Sequence, residues 1–465
     1  MTKKQRPTKK QNKTKKHIHV HGHLDQENAG WKRIAIYGTP QQRGFAHGFL
    51  LYREILAVHH KFRFLVKQEM EVPYKKYMQT CRLIIKPILQ DKYPEFYQEM
   101  EYIVRGVKYQ DPNSKIDMDF LVAWNSFLSM YEYFHNPTNS TPSTSRPRRC
   151  SAFIATGSHT KTGHIVMGHT THSDLVSAKF FNIILYMIPD KGIPFVMQTA
   201  PGFIASGTDW FLTKNGLIGC ETTIGDIRYR PIFDSSHHPY FCRIRQAMQY
   251  GTTLKQYADI MTNNNAGDYA CSWLFGDIRT QEIMLCELGL QETNVQTTRD
   301  GVYWGMNSAM SSILRDQETD DQEFYDMRTS SGARNARFQQ LLEKWRGKIT
   351  DDVAILILSD HVDPYTQKEN PSAKSICVHS YQDSNAVDQN YPHGCTDVKV
   401  TTSEMAKHQE FMARFGPACG RTFSATDFFK QNPKYRTKFG PYLENFPNQP
   451  IIHIKIPNHL LKNLK

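Results

Sequence analysis

The stretch Arg146-Pro147-Arg148-Arg149-Cys150-Ser151-Ala152-Phe153-Ile154-Ala155 changes character at one residue. From Asn136 to Arg149 there is no large apolar side chain, and Pro137, Pro142 and Pro147 stand among Ser, Thr, Asn and Arg, which predicts an exposed, cleavable linker. From Cys150 onward the apolar alternation predicts a strand entering a core. A Cys at the head of a strand is usually a small buried hydrophobe. A cut between Arg149 and Cys150 would change its chemistry: the thiol and a new α-amine would belong to one residue, and an amine of pKa about 8 can serve as base for its own nucleophile.

The whole chain sets the bounds on this reading. Its 465 residues, 39% hydrophobic and 22% charged, suit a soluble globular protein with a sizeable core. The net charge of +12 is unevenly placed, because residues 1–16 hold eight Lys or Arg and no acid, leaving the remainder at only +4. That tail, followed by His17-Ile18-His19-Val20-His21-Gly22-His23, reads as disordered and solvated, able to touch a polyanion or an acidic membrane through residues 1–16. No apolar segment follows the basic residues as in a signal peptide, and no run approaches a membrane span, so the expected location is cytosolic, organellar or particle-packaged rather than secreted or lysosomal. The nine cysteines are scattered without a Cys-x-x-Cys pair, which reads as reduced thiols with neither a disulfide framework nor a zinc site. No metal or cofactor is expected, and Asp360, His361 and Asp363 read as structural.

Four segments are expected: a disordered basic tail over 1–30, a mainly helical part over 31–136, the linker with its processing site over 137–149, and a catalytic part over 150–465. Within the helical part, Trp31–Ile36 predicts a short strand and Gly38–Met70 a turn into a long helix, with more helix around Tyr77–Leu89 and Asp119–Phe134. Beyond Cys150, strand-like runs alternate with turn signals, the strongest being Asn215-Gly216 between Trp210–Leu212 and Leu217–Gly219. Tyr240–Met261, Arg334–Trp345 and Asp351–Leu358 predict helices, and Ser272–Leu288 a further hairpin. Hairpins joined directly, with helices outside them, predict an α+β fold in which antiparallel sheets pack between helical layers.

Several segments together resemble the phospholipase B-like family, in that family's order: Gly38–Gly48, Cys150-Ser151-Ala152, Gly168-His169-Thr170-Thr171, Pro201-Gly202, Asp209–Leu217, Glu221-Thr222-Thr223-Ile224 and Asn265–Tyr269. From about Ser330 to Arg421 the chain is more similar to bacterial relatives in the penicillin acyltransferase branch, through Ser331–Phe338, Leu358–His361, Asn370-Pro371-Ser372 and Pro417–Gly420. The resemblance implies an αββα N-terminal-nucleophile hydrolase made as a precursor and cut before Cys150. It implies catalytic roles for Cys150, His169, Thr222 and Thr223, an oxyanion-hole role for Asn265, and a site arginine at Arg337 with Arg334 as runner-up. It places His172, where the family carries an aromatic residue, and Trp210 at the substrate, and Arg149 at the processing site. Each polar residue also has a bland reading, as a core group, a turn residue or a helix charge.

The expected activity is cleavage of acyl ester or amide bonds of lipids through an acyl-enzyme on Cys150, with an acyl lipid or N-acyl small molecule as substrate and the two cleavage fragments as partners of each other. A peptide or lactam acyltransferase of the same fold and a catalytically silent basic binding protein are the rival readings. The sequence leaves the oligomeric state unknown.

Overall fold

The structure, a computed structural model, describes residues 19–135, 150–321, 323–382 and 392–456. Most of the basic tail and the whole linker, with Arg149, lie outside the described residues. Strands and helices are numbered in chain order. One sheet has nine strands in the order β1 (Gly22–Leu24), β2 (Lys32–Gly38), β5 (Ile183–Pro189), β6 (Phe195–Thr199), β7 (Trp210–Thr213), β8 (Leu217–Thr223), β9 (Cys271–Asp277), β10 (Glu282–Leu288) and β11 (Thr293–Thr298). The second has seven: β12 (Gly301–Gly305), β3 (Cys150–Gly157), β4 (Gly163–Asp174), β16 (Asp397–Thr402), β17 (Phe411–Phe415) and β18 (Ile452–Ile454), with β15 (His393–Cys395) pairing the far end of β4. β13 (Val362–Asp363) and β14 (Lys368–Glu369) form a small separate hairpin.

The two sheets face each other, β3 packing on β8 and β9, and β12 on β9 and β10. Among the described residues, seven α-helices precede the linker: α1 (Pro40–Leu50), α2 (Tyr52–Leu65), α3 (Tyr74–Thr80), α4 (Lys86–Lys92), α5 (Pro94–Gln110), α6 (Met118–Asn125) and α7 (Tyr131–Phe134). They build one outer layer together with α8 (Tyr240–Tyr250) and α9 (Leu254–Thr262), α1 lying on β1 and β2 and α9 on β9 and β10. α10 (Ser312–Glu318) precedes the other layer, in which α11 (Ser330–Lys344) lies against β12 and α12 (Asp351–Leu358) crosses β4 and β16. The result is the expected αββα sandwich. Among the described residues, no helix is long and apolar enough to cross a membrane.

Several features depart from the sequence reading, among them a break between Asn125 and Tyr131 in the helix expected over Asp119–Phe134. Gly22–Leu24, inside the segment read as a disordered tail, pairs with β2, and β2 pairs with β5 in parallel rather than antiparallel fashion. The part before the linker therefore extends the sheet of the part after it. The single helix expected over Tyr240–Met261 is broken at Gly251, where Thr253 caps a new helix by accepting from Gln256 N.

The helical layer is fastened by close backbone approach and by buried charge. A Cβ on Gly44 or Gly48 of α1 would run into the carbonyls of Glu99 and Ile103 on α5, so only glycine lets these helices meet. Arg43 Nε donates to Glu99 at 2.6 Å, and Arg245 Nη2 of α8 donates to the same carboxylate at 2.9 Å, with all three side chains buried. Arg43 Nη2 also reaches Glu95 at 2.6 Å.

One turn along α1, His47 Nε2 accepts from the Gly202 N–H at 2.9 Å, and Gly202 has a left-handed φ of 84°. Burial pushes the His47 imidazole down to about 4, so it folds as the neutral acceptor. The sign follows directly. Below pH 6.5 the unfolded chain takes up a proton that the folded one refuses, so this contribution is full above 6.5 and is lost as pH falls toward 4. Unfolding titrations are expected to show about 3 kcal/mol less stability at pH 4 than at pH 7 from this residue, and His47→Gln should flatten that acid limb.

Candidate active site

Strand β3 is buried on both faces, and its alternation assigns the faces. Ala152 and Ile154 join the core between the sheets, whereas Phe153 and Ala155 join the core beneath α11 and α12. By the same period of two, Cys150 belongs to the space between the sheets and Ser151 to the helix side. Ser151 bears this out: its Oγ donates to Ile376 O at 3.1 Å and accepts from Arg334 Nη1 of α11 at 3.3 Å.

Both backbone groups of Cys150 are held by side chains from distant segments. Its N–H donates to Asn307 Oδ1 at 3.3 Å, and its carbonyl accepts from Arg334 Nη1 at 2.9 Å. Arg334 Nη1 also donates to Asn307 Oδ1 at 3.0 Å, while Asn307 Nδ2 donates to Thr223 O at 2.8 Å. Asn307 thus ties the head of β3 to the end of β8 in the opposite sheet. It does so from a left-handed backbone, φ 74°, a conformation that Asn tolerates better than most side chains.

The thiol is only 3% exposed in the uncut chain. Burial pushes its pKa well above the ordinary thiol range, and the charges of Glu221 and Asp209 push the same way; Lys399 and a hydrogen bond from the His172 backbone oppose them. The two carboxylates meet at one phenol, since Tyr269 Oη lies 2.7 Å from Glu221 Oε1 and 2.9 Å from Asp209 Oδ2, and accepts from Thr223 Oγ1 at 3.0 Å. Burial, then Asp209 and Glu221, hold the phenol well above its usual range.

The other expected residues divide into those near Cys150 and those elsewhere. His169 pairs with Ala152 across β3 and β4, and its Nε2 donates to Glu221 O at 3.0 Å. Burial, aided by Lys399, holds this imidazole well below its usual range, so it stays neutral, and its Nε2 proton is committed to a carbonyl. Thr222 faces Gly305 of the other sheet, where a Cβ would collide with its Oγ1. Trp210 is wholly buried between the sheets, its ring 6.5 Å from that of His169 and 5.7 Å from Phe411, which makes it a core residue in the uncut chain. His172 pairs with Cys395 of β15, and burial followed by Arg334 holds its imidazole well below the usual range.

Two further expected residues have partners of their own. Asn265 Nδ2 donates to Gly289 O at 2.6 Å, and its Oδ1 accepts from Arg243 Nη2 and Gly267 N at 2.9 and 3.0 Å, so its amide closes a loop. Arg337 grips Asp360 with two bonds of 2.8 and 2.6 Å at the margin of α11. Arg334, the runner-up, is the arginine at Cys150. Asn307 is a lone Asn after a strand and carries no local signal in the sequence.

Comparisons with known proteins fit this frame. Residues 91–286 match the model of the phospholipase B family, a span that includes Cys150, His169, Thr222, Thr223 and Asn265. A "Putative phospholipase B-like 1" of Caenorhabditis elegans is 25% identical over 354 residues, which are 68% of this chain and 59% of that protein, so the match leaves much of the relative's length outside it. Two solved structures align over 57% of this chain at low scores. A point mutant of conjugated bile acid hydrolase from Clostridium perfringens has a TM-score of 0.35 with 8% identity and 89% of its own chain covered. Penicillin V acylase from Agrobacterium tumefaciens has a TM-score of 0.31 with 10% identity and 82% covered. The fold is an αββα sandwich with Cys150 at the head of strand β3, facing between its two sheets. The resemblance read in the sequence holds over residues 91–286, which are similar to the phospholipase B family.

The two arginines of α11 can be told apart by mutation. Arg334→Ala strips the buried Cys150 carbonyl and Asn307 of a charged donor and is expected to abolish any cut at Arg149–Cys150. Arg337→Ala should leave cutting intact and lower stability by about 1 to 2 kcal/mol through Asp360. Intact-mass analysis after incubation, with urea unfolding of both variants, checks this.

Proposed function

We propose that the chain is a precursor cut between Arg149 and Cys150, and that the freed Cys150 hydrolyses acyl ester or amide bonds, with acyl lipids as the leading substrate class. The observation that carries this reading is the capture of the Cys150 backbone N and O by Asn307 and Arg334. At the buried head of a strand these backbone groups need partners, and here both are fixed side chains that would also hold a new α-amine in place. The family match supports a hydrolase, and the buried strand-head thiol supports covalent catalysis.

In the cut form the α-amine, of pKa about 8, takes the thiol proton as sulfur attacks the acyl carbonyl. The leaving alcohol or amine departs with the proton from the ammonium, and water then splits the thioester, returning the thiol and releasing the acid. A thiol pushed up by burial and two carboxylates holds its proton at rest, so transfer to the amine accompanies attack.

On incubation, the purified 465-residue chain should yield associated fragments of 149 and 316 residues, and Cys150→Ala should stay whole. Mass analysis with a long-chain ester should find a base-labile acyl group on the 316-residue fragment. Persistent cutting in Cys150→Ala would point to a separate protease at the basic run. The acid limb of kcat/KM should lie near the α-amine pKa, about 8. A limb well below 6.5 that disappears in His169→Gln would make the imidazole the base and overturn the assignment.

A further inference from the structure

Away from Cys150, the fold gathers four groups that no part of the mechanism above uses. His361 follows α12, Cys377 and His379 stand before β15, and Cys419 follows β17. Each offers one ligand atom, and these four atoms all lie within 4.8 Å of one another. His361, Cys377 and His379 are buried and Cys419 is partly so.

Two of the ligand–ligand distances match a tetrahedral ion. With metal–sulfur bonds of about 2.3 Å and metal–nitrogen bonds of about 2.0 Å, a sulfur and a nitrogen on one tetrahedral ion stand about 3.5 Å apart. Both Cys377 Sγ and Cys419 Sγ lie 3.4 Å from His379 Nε2. One imidazole nitrogen has a single lone pair and cannot accept well from two thiols, but a cation placed among them satisfies all three. His361 is 7% exposed, its Nε2 makes no ordinary hydrogen bond, and its side chain interacts with Cys419 itself.

The surroundings complete such a site. His379 Nδ1 lies 3.0 Å from Tyr381 Oη, the outer contact that turns Nε2 toward a metal. Cys395 is close by but otherwise engaged, 2.7 Å from Thr170 Oγ1 and accepting from Ala418 N at 3.2 Å. We infer that His361, Cys377, His379 and Cys419 form a closed Cys2His2 site for a zinc ion that cross-links three segments of the chain. Binding releases the two thiol protons, and two thiolates with one divalent cation give a neutral centre suited to burial. Four protein ligands leave no open position, so the ion is structural. It also stands next to the catalytic strand, since Ile376, adjacent to Cys377, accepts from Ser151 beside Cys150. The sequence reading of scattered thiols without a zinc site is thereby revised: Asp360 pairs with Arg337, Asp363 caps the Tyr365 turn at 2.8 Å, and His361 belongs with the cysteines.

The test uses the full chain purified under reducing conditions. Elemental analysis is expected to find one zinc per chain, and chelation should lower Tm by several degrees, reversibly on adding zinc. Cobalt added to the chelated protein should give intense visible d–d absorption with a thiolate charge-transfer band. Cys377→Ser and Cys419→Ser should lose that spectrum, whereas Cys395→Ser should keep it. Should the variants fail to fold, cobalt titration of the wild-type chain decides alone: one equivalent with the tetrahedral thiolate spectrum supports the site. Wild-type protein that binds neither ion, or peptide mapping that finds a Cys377–Cys419 disulfide in the fresh metal-free protein, overturns it. Loss of the spectrum in Cys395→Ser with retention in Cys419→Ser refutes this ligand set.

Discussion

The hydrogen bonds from Arg334 and Asn307 to the backbone of Cys150 depend on a strand, β3, that has protein on both faces. Such a strand cannot solvate an unmatched polar group at its head, so every backbone atom of Cys150 must find a partner inside the protein. α11 supplies one through Arg334, and the segment after β12 supplies the other through Asn307. The two partners also bond each other, so the position of Cys150 relative to both sheets is fixed by a small closed polar network. A partly satisfied network in so dry a place would cost more than none, which makes its members mutually dependent.

The same economy of buried charge recurs on the outer side of the nine-stranded sheet. Glu99 is wholly buried, yet Arg245 and Arg43 hold its carboxyl below the usual range against the effect of burial. Between the sheets, Lys399 and Asp397 pair at 2.8 Å, and Asp397 also accepts from Thr171 N and from Gln198 of the opposite sheet at 2.9 Å each. Buried pairs of this kind add little net stability over apolar packing, but breaking one leaves an uncompensated charge. They therefore specify how the layers sit on one another.

The electrostatics around Cys150 hold its thiol in the uncharged form. Burial and two nearby carboxylates keep the thiol protonated, and the imidazoles of His169 and His172 on the neighbouring strand are held neutral. A thiol in such surroundings is inert until a base arrives next to it. Cutting the chain at Cys150 would create that base on the same residue, which gives a physical reason for coupling activity to processing.

What the sequence determined by itself was local. The alternation after Cys150, the Asn215-Gly216 hairpin and the helix over Asp351–Leu358 all rest on side-chain period and turn chemistry within a few residues, and the structure has each of them. Tertiary structure decided which polar residues meet. Arg334 and Arg337 are equally good helix residues three positions apart, separated by about 60° around the axis, and only the packing of α11 turns the first toward Cys150 and the second toward Asp360. Asn265 looked like a free amide donor until the loop carrying it used that amide on Gly289. Asn307 and the cluster of His361, Cys377, His379 and Cys419 come together from segments far apart in the chain, where no periodicity links them. Their meeting depends on how two sheets and two helical layers stack, and that is set by burial of the whole core rather than by any local run of residues.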